Sequence, residues 1–402
     1  MSTDRVLVCN AHAVHGLVAV RSLGRRGLDV TAGSRFPVSP GALSRYAERR
    51  LTYPDPESRP EAFVRALERE LEERDYDALL PINEVTVATV ARHRDRIDPL
   101  VSVPFDCYDR LLVGLDKCRT TAALRAHDVP RPETLLPEEV DADAVADLGF
   151  PVVLKPARGS GRDGVAVCES LAEFETEHSR IRDEYGPTLV QEYVPNGGEA
   201  GAYALYHPAG ERATRVVQQR IRTRPPEGGV STYRETIADP EVDAVADDLL
   251  SGLDWHGVAM VEFRRDPRDG EPKVLELNPR LWGSLALSTY AGADFPYLLY
   301  QLAVGEEIDP DPGYTVGVRA RSAFADLLHA LERPDRLRAF AEVLTPGDAP
   351  ERFDVLARED PLPAAGQVGY WLTVYLREAS SDGAVLESSP VPDATVRRLI
   401  ER

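Results

Sequence analysis

The chain has 402 residues, 43% of them hydrophobic, enough to bury the cores of roughly two to four domains or subdomains. A formal net charge of −20 at pH 7 argues against nonspecific binding to nucleic acid or to an anionic membrane. Of 47 basic residues only Lys117, Lys155 and Lys273 are lysines, a composition that fits a salt-adapted cytosolic protein or a GC-rich coding bias.

The opening segment, MSTDRVLVCN, lacks the charged start and apolar run of a secretory signal. No segment approaches the ~18 uninterrupted apolar residues of a membrane span. Cys9, Cys107, Cys118 and Cys168 form no C-x-x-C pair, which argues against a zinc site or disulfide framework. A cytoplasmic protein is therefore expected. RVLVCN predicts a strand, HGLVAVRSLGRRG a helix ending on glycine, and LDVTAGS a second strand. A helix near PEAFVRALERELEERD and a strand at YDALLPIN complete a parallel α/β domain. Ligands of open parallel sheets sit at the carboxyl ends of strands, which makes His12, Asn83 and Glu84 candidate pocket residues. Ordinary polar loop residues are the alternative at each position. No dinucleotide fingerprint follows the first strand, where CNAHAVHG stands instead.

VGLDKCRTTAALRAHDVPRP predicts one helix stopped by prolines. FPVVLKP, GVAVCES, TLVQEYV, AGAYALYH and ATRVVQQRIRT read as strands, and PEVDAVADDLLSGLDW as a helix. GVAMVEFRRD and KVLELN flank the turn DPRDGEP, and the last hundred residues mix helix and strand around Pro-rich loops.

Gly159, Gly161 and Gly164 spell G-x-G-x-x-G, but a strand follows them where a dinucleotide fold needs a helix. A Walker A loop needs Lys and Ser/Thr after its last glycine, and Val165 and Ala166 stand there. Protein kinases put the lysine after the loop, whereas Lys155 precedes it. The triplet His93-Arg94-Asp95 lies upstream of the loop, and Leu100 stands where a kinase needs Asn. What remains is strand, lysine, glycine loop, strand. Such a hairpin can fold over a polyphosphate with its backbone N–H groups close to the anion; a surface hairpin is the alternative.

In GVAMVEF, alternation puts Val258, Met260 and Glu262 on one face; in VLELNPR it puts Val274, Glu276 and Asn278 on one face. Paired as a hairpin, the two segments gather Glu262, Glu276 and Asn278 as hard oxygen ligands suited to Mg²⁺. Arg280 could clamp a transferring phosphoryl group. A buried ion pair with Arg264 is the alternative.

The order of these elements resembles the ATP-grasp superfamily: Lys117, then Lys155 in VVLKP, QEYVPNGGE, Glu262, and E-x-N-P-R at Glu276, Asn278 and Arg280. The last segment is similar to that of carbamoyl phosphate synthetases and other carboxylate–amine ligases. The resemblance implies an α/β (α+β ATP-grasp) fold in three parts. These are a Rossmann-like domain at 1–112, an ATP-grasp domain at 113–305 and an extension at 306–402. Within the middle part, 113–190 would be the linker helix and lid, and 191–305 the central sheet with the metal site. It further implies that Lys117, Lys155, Gly159, Ser160, Gly161 and Gly164 meet the ATP phosphates, Lys155 also reaching toward the adenine. Glu192, Tyr193 and Val194 would line the adenine slot, and Glu199 would hold the ribose. Glu262, Glu276 and Asn278 would bind two Mg²⁺ ions, or Mn²⁺ in their place. Arg280 and Lys155 would be catalytic. Arg220, Arg222, Ser231, Thr232 and Trp282 would face the substrates. The implied reaction activates a carboxylate as an acyl-phosphate, forming ADP, and joins it to an amine or other nucleophile. A small-molecule kinase or a nonenzymatic ATP-binding regulator on the same fold are the alternatives. Small-molecule carboxylates and amines are the expected partners, with no nucleic acid or membrane, and a homodimer the expected assembly.

Overall fold

The computed structural model describes residues 3–159, 164–225, 229–309, 313–345 and 351–380. Its strands form three sheets. The first, in order β3-β2-β1-β4, is all parallel: β1 (Arg5–Val8), β2 (Asp29–Ser34), β3 (Arg49–Thr52) and β4 (Ala78–Leu80). Val6, Val8 and Leu80 enter one buried cluster, and Leu7, Cys9 and Leu79 another. Both faces are covered, which is why these strands read as continuous apolar runs. The helix Val14–Arg25 follows β1, as its periodicity predicts.

The helix expected over 113–132 is two helices, Tyr108–Leu115 and Lys117–Ala126. Asp116 stands between them in extended conformation, and its carboxylate accepts the Cys118 N–H at 3.0 Å. This N-cap starts a new helix and aims its first residue, Lys117, at the neighbouring sheet.

That second sheet, in order β5-β8-β6-β7, is antiparallel: β5 (Thr134–Leu135), β6 (Val152–Pro156), β7 (Ala166–Cys168) and β8 (Thr188–Glu192). Alternation along β6 buries Val152 and Leu154 with Cys168, Phe174, Ile181 and Val190. Lys155 is left on the opposite face, across from Leu189.

The third sheet has seven strands, in order β13-β12-β9-β10-β11-β14-β15. They are β9 (Glu199–Tyr206), β10 (Arg212–Arg224), β11 (Val230–Thr236), β12 (Gly257–Arg265), β13 (Pro272–Asn278), β14 (Arg319–Arg321) and β15 (Glu351–Phe353). The last two come from beyond residue 305 and extend the same sheet. Among the described residues no helix is long and apolar enough to cross a membrane.

Candidate active site

The hairpin of β12 and β13 sets the geometry. Glu262 pairs with Glu276, and Met260 with Asn278. A bulge then shifts the register, so that Val274 pairs with Phe263. Val274 is 1% exposed and joins Val261, Phe263 and Leu277 in the core, on the face opposite Glu276. The expectation that Val274 shares a face with Glu276 and Asn278 is thus corrected: the extra residue of the bulge, Leu275, turns the strand over. Leu275 itself lines the cleft.

Two carboxylates directly opposite each other repel. Cations answer that repulsion here. The Arg220 guanidinium bonds Glu262 with one nitrogen, and with the other donates to Glu199 at 3.0 Å. Glu276 faces the Lys155 ammonium electrostatically. Arg280 donates to the Asn278 side-chain oxygen at 3.1 Å and stands 3.9 Å from Glu84. The Asn278 Nδ2 is buried with no partner among the described residues. Beside Glu262 in the same register row is Gly201, then Gln218. A Cβ at Gly201 would stand 2.6 Å from the Tyr203 hydroxyl, so glycine there lets that ring lie across the sheet next to Glu262. Among the described residues no group of three or more His, Cys, Asp or Glu side chains could hold a metal. The donor set is two carboxylates and one amide oxygen. It fits an ion such as Mg²⁺ that takes the rest of its shell from phosphates and water.

Opposite this hairpin stands the open face of the second sheet, and a cleft lies between them. Lys155, Lys117, Gly159, Glu276, Asn278 and Glu84 all line it. Burial, foremost, pulls the Lys155 ammonium below its usual range; Glu276 pulls it up, and Lys117 pushes it down again. Lys117 donates from Nζ to the Gly159 carbonyl at 2.7 Å, tying the helix start to the glycine loop. Gly164 has φ +68°, and a Cβ there would stand 2.6 Å from Pro156 Cγ, so its return to β7 needs glycine. Ser160 and Gly161 lie outside the described residues.

Leu189, Gln191 and Thr134 also line the cleft. The next segment, Glu192–Val194, passes from the second sheet to the third. The Glu192 N–H donates to Glu133 and the Tyr193 N–H to Pro151, while the Val194 carbonyl accepts from Arg264 at 3.3 Å. Glu199 is buried between Arg264, at 2.6 Å, and Arg220. Its carboxylate thus enters a charge cluster.

A family model described as ATP-grasp in the biosynthetic pathway with Ter operon matches residues 187–323, the stretch that carries this hairpin. In fold the chain is similar to the biotin carboxylase–β-γ-ATP complex of Campylobacter jejuni, with a TM-score of 0.67 at 16% identity, covering 79% of this chain and 74% of that one. The chain has the ATP-grasp fold. In sequence it is 23% identical to the C-terminal section of a carbamoyl phosphate synthase large chain of Methanopyrus kandleri, over 49% of this chain and 41% of that protein. It is 24% identical to a D-alanine–D-alanine ligase of Paracidovorax citrulli, over 50% of this chain and 65% of that protein. The matches thus span less than two thirds of these relatives.

Several substrate-facing expectations for this ATP-grasp chain fall elsewhere. Glu84 does line the cleft, and burial, foremost, raises its carboxyl while Arg280 and Lys117 lower it. Its neighbour Asn83 is an N-cap, accepting the Thr86 N–H at 3.0 Å. His12 packs between Phe36 and Tyr370, 6% exposed, and its Nδ1 meets the Ser34 hydroxyl at 3.2 Å. Arg222 parts from Arg220 at a bulge in β10 and pairs with Asp326 at 2.7 Å. The Thr232 hydroxyl donates to the same Asp326, and the Ser231 hydroxyl turns to the Tyr233 carbonyl. Trp282 is fully buried between Tyr203 and Phe295. Sequence reading missed His15, whose Nε2 is buried without a partner among the described residues and which neighbours Arg280 electrostatically. Its signal was only its place after β1, shared with His12. Leu275 and Gln191 were missed because period-2 alternation does not mark a bulge or a polar cleft wall.

Proposed function

We propose that this ATP-grasp chain is an ADP-forming ligase that activates a small-molecule carboxylate and joins it to an amine or comparable nucleophile. The observation that carries the reading is one cleft. It holds two lysines, the Glu276 and Asn278 oxygens and, at its edge, Arg280 with Glu84. Such a site can hold two anions together, which is the physical obstacle to phosphorylating a carboxylate.

Lys117 and Lys155 would hold the phosphates of ATP. Glu262, Glu276 and Asn278 would hold Mg²⁺, which when bound neutralises phosphate charge. A substrate carboxylate oxygen would attack the γ-phosphorus in line, the bond to ADP would break, and an acyl-phosphate would form. The nucleophile would then attack the acyl carbon and expel phosphate, losing its proton to phosphate or water. Arg280 would face the charge that grows on both steps. The name of the D-alanine–D-alanine ligase supports this class of reaction.

The test compares ADP release from Mg-ATP by the unmutated chain, Lys155→Ala and Glu276→Gln, with pools of carboxylic and amino acids. The reading predicts pool-dependent ADP release lost in both variants. Release that survives in Glu276→Gln would remove the assigned metal site.

A further inference from the structure

Two of the three lysines, Lys117 and Lys155, line the cleft; the third does not. The Lys273 ammonium lies 3.0 Å from Asp266, 3.6 Å from Glu192 and 3.7 Å from Asp269. Its side chain is 12% exposed, and that of Asp266 is fully shielded. Arg268 bonds Asp266 at 2.5 Å and stands 3.7 Å from Glu192. Three carboxylates from two segments thus converge on one point. Asp266 and Asp269 belong to the turn between β12 and β13, while Glu192 ends β8 in the other sheet.

A compact ammonium with three donors can serve three converging carboxylates; a planar guanidinium fork suits two oxygens in one plane. In a chain that otherwise uses arginine, lysine at 273 meets that geometric demand. The attachment sits at the cleft. Gln191, next to Glu192, and Leu275, two residues past Lys273, both line it. The far end of the same passage is fastened to the same hairpin, where Arg264 donates to the Val194 carbonyl at 3.3 Å.

We propose that Lys273 is a positioning residue for the nucleobase: by holding Glu192 it fixes the Glu192–Val194 backbone as one wall of the base slot. This rests on the nucleotide reading of the cleft. It goes beyond that reading in giving Lys273 a role distinct from that of Lys117 and Lys155. Its contribution is to base recognition and independent of phosphate.

The experiment measures binding of adenosine and of Mg-ADP by titration calorimetry, adenosine by competition where weak. It compares the unmutated chain with Lys273→Met, Lys273→Arg and Lys117→Met. Lys273→Met and Lys273→Arg are expected to weaken both ligands by the same factor, about tenfold. Lys117→Met is expected to weaken Mg-ADP and leave adenosine unchanged. Where Lys273→Met does not fold, Asp269→Asn, at a half-exposed member of the cluster, is expected to weaken both ligands about twofold. Unchanged adenosine affinity in Lys273→Arg and in Asp269→Asn, or a loss confined to Mg-ADP, would overturn the proposal alone. If the unmutated chain bound neither ligand, the nucleotide reading would fall and this proposal with it.

Discussion

Glu262 and Glu276 face each other across one register position, an arrangement that costs stability unless a cation stands between or beside them. Removing one charge should therefore relax the fold while it removes the chemistry. Glu276→Gln is expected to melt at the same temperature or slightly higher, by about 0.2–1 kcal/mol of stability, and to lose Mg-ATP turnover. A marked fall in melting temperature would show that Glu276 supports the fold instead. His12 and His15 make a second statement at this scale. Burial, foremost, pushes His12 down to about 3, with Arg35 and His15 adding to it, and burial does the same to His15 beside Arg280. Both bind protons more weakly folded than unfolded, so their contribution is fully present above about pH 6.5. It falls as pH drops toward 3, with a slope of up to about 1.4 kcal/mol per pH unit for each histidine. Urea unfolding at pH 7 and pH 5 should show a shallower acid loss in His12→Asn than in the unmutated chain; equal slopes would contradict the assignment. Much at this scale was legible in the sequence. The scarcity of lysine marked Lys117 and Lys155, and E-x-N-P-R marked Glu276, Asn278 and Arg280. The partners of Arg220 and the Glu192 partner of Lys273 were not legible, because an ion pair between residues 21 or more positions apart leaves no local pattern.

Sheet and helix boundaries obey local chemistry, and the departures have local causes. Asp116 looked like one more residue of a helix; its extended backbone and its bond to Cys118 N–H make it a cap. The bulge at Leu275 is the larger departure. Alternation alone assigns Val274 to the functional face and Leu275 to the core, whereas the register does the reverse. Two substitutions separate these arrangements. Val274→Ala should cost about 2 kcal/mol in urea unfolding and leave Mg-ADP binding nearly intact. Leu275→Ala should weaken Mg-ADP binding severalfold and cost less than half as much stability. The opposite pattern would restore the unbulged strand.

Over the whole molecule, the segment beyond residue 305 binds the other parts together through buried ion pairs. Asp360 accepts from Arg21 at 2.9 Å and Asp354 from Arg234 at 2.9 Å, while Asp326 accepts from Arg222 and lies 3.0 Å from the Arg321 guanidinium. Such pairs add little over a well-packed apolar contact, yet breaking one strands its partners in low dielectric. Asp326→Ala, which leaves Arg222 and Thr232 without their shared acceptor and Arg321 without its counter-charge, is expected to lose about 3–5 kcal/mol in denaturant unfolding. A loss under about 1 kcal/mol would mean that water satisfies them. The parallel first sheet and the β-rich middle were readable from periodicity. The continuation of the third sheet into β14 and β15 was not, since pairings between strands so far apart in the chain depend on tertiary packing. The central claim is that the cleft makes an acyl-phosphate, and hydroxylamine tests it most directly because it captures acyl-phosphates as stable hydroxamates. In high-salt buffer with Mg-ATP and pooled carboxylates, the account predicts ADP and hydroxamate in equal amounts, with some pools only, and neither with Lys155→Ala. ADP accompanied by a stable phosphorylated product and no hydroxamate, or no ADP with any pool, would contradict it.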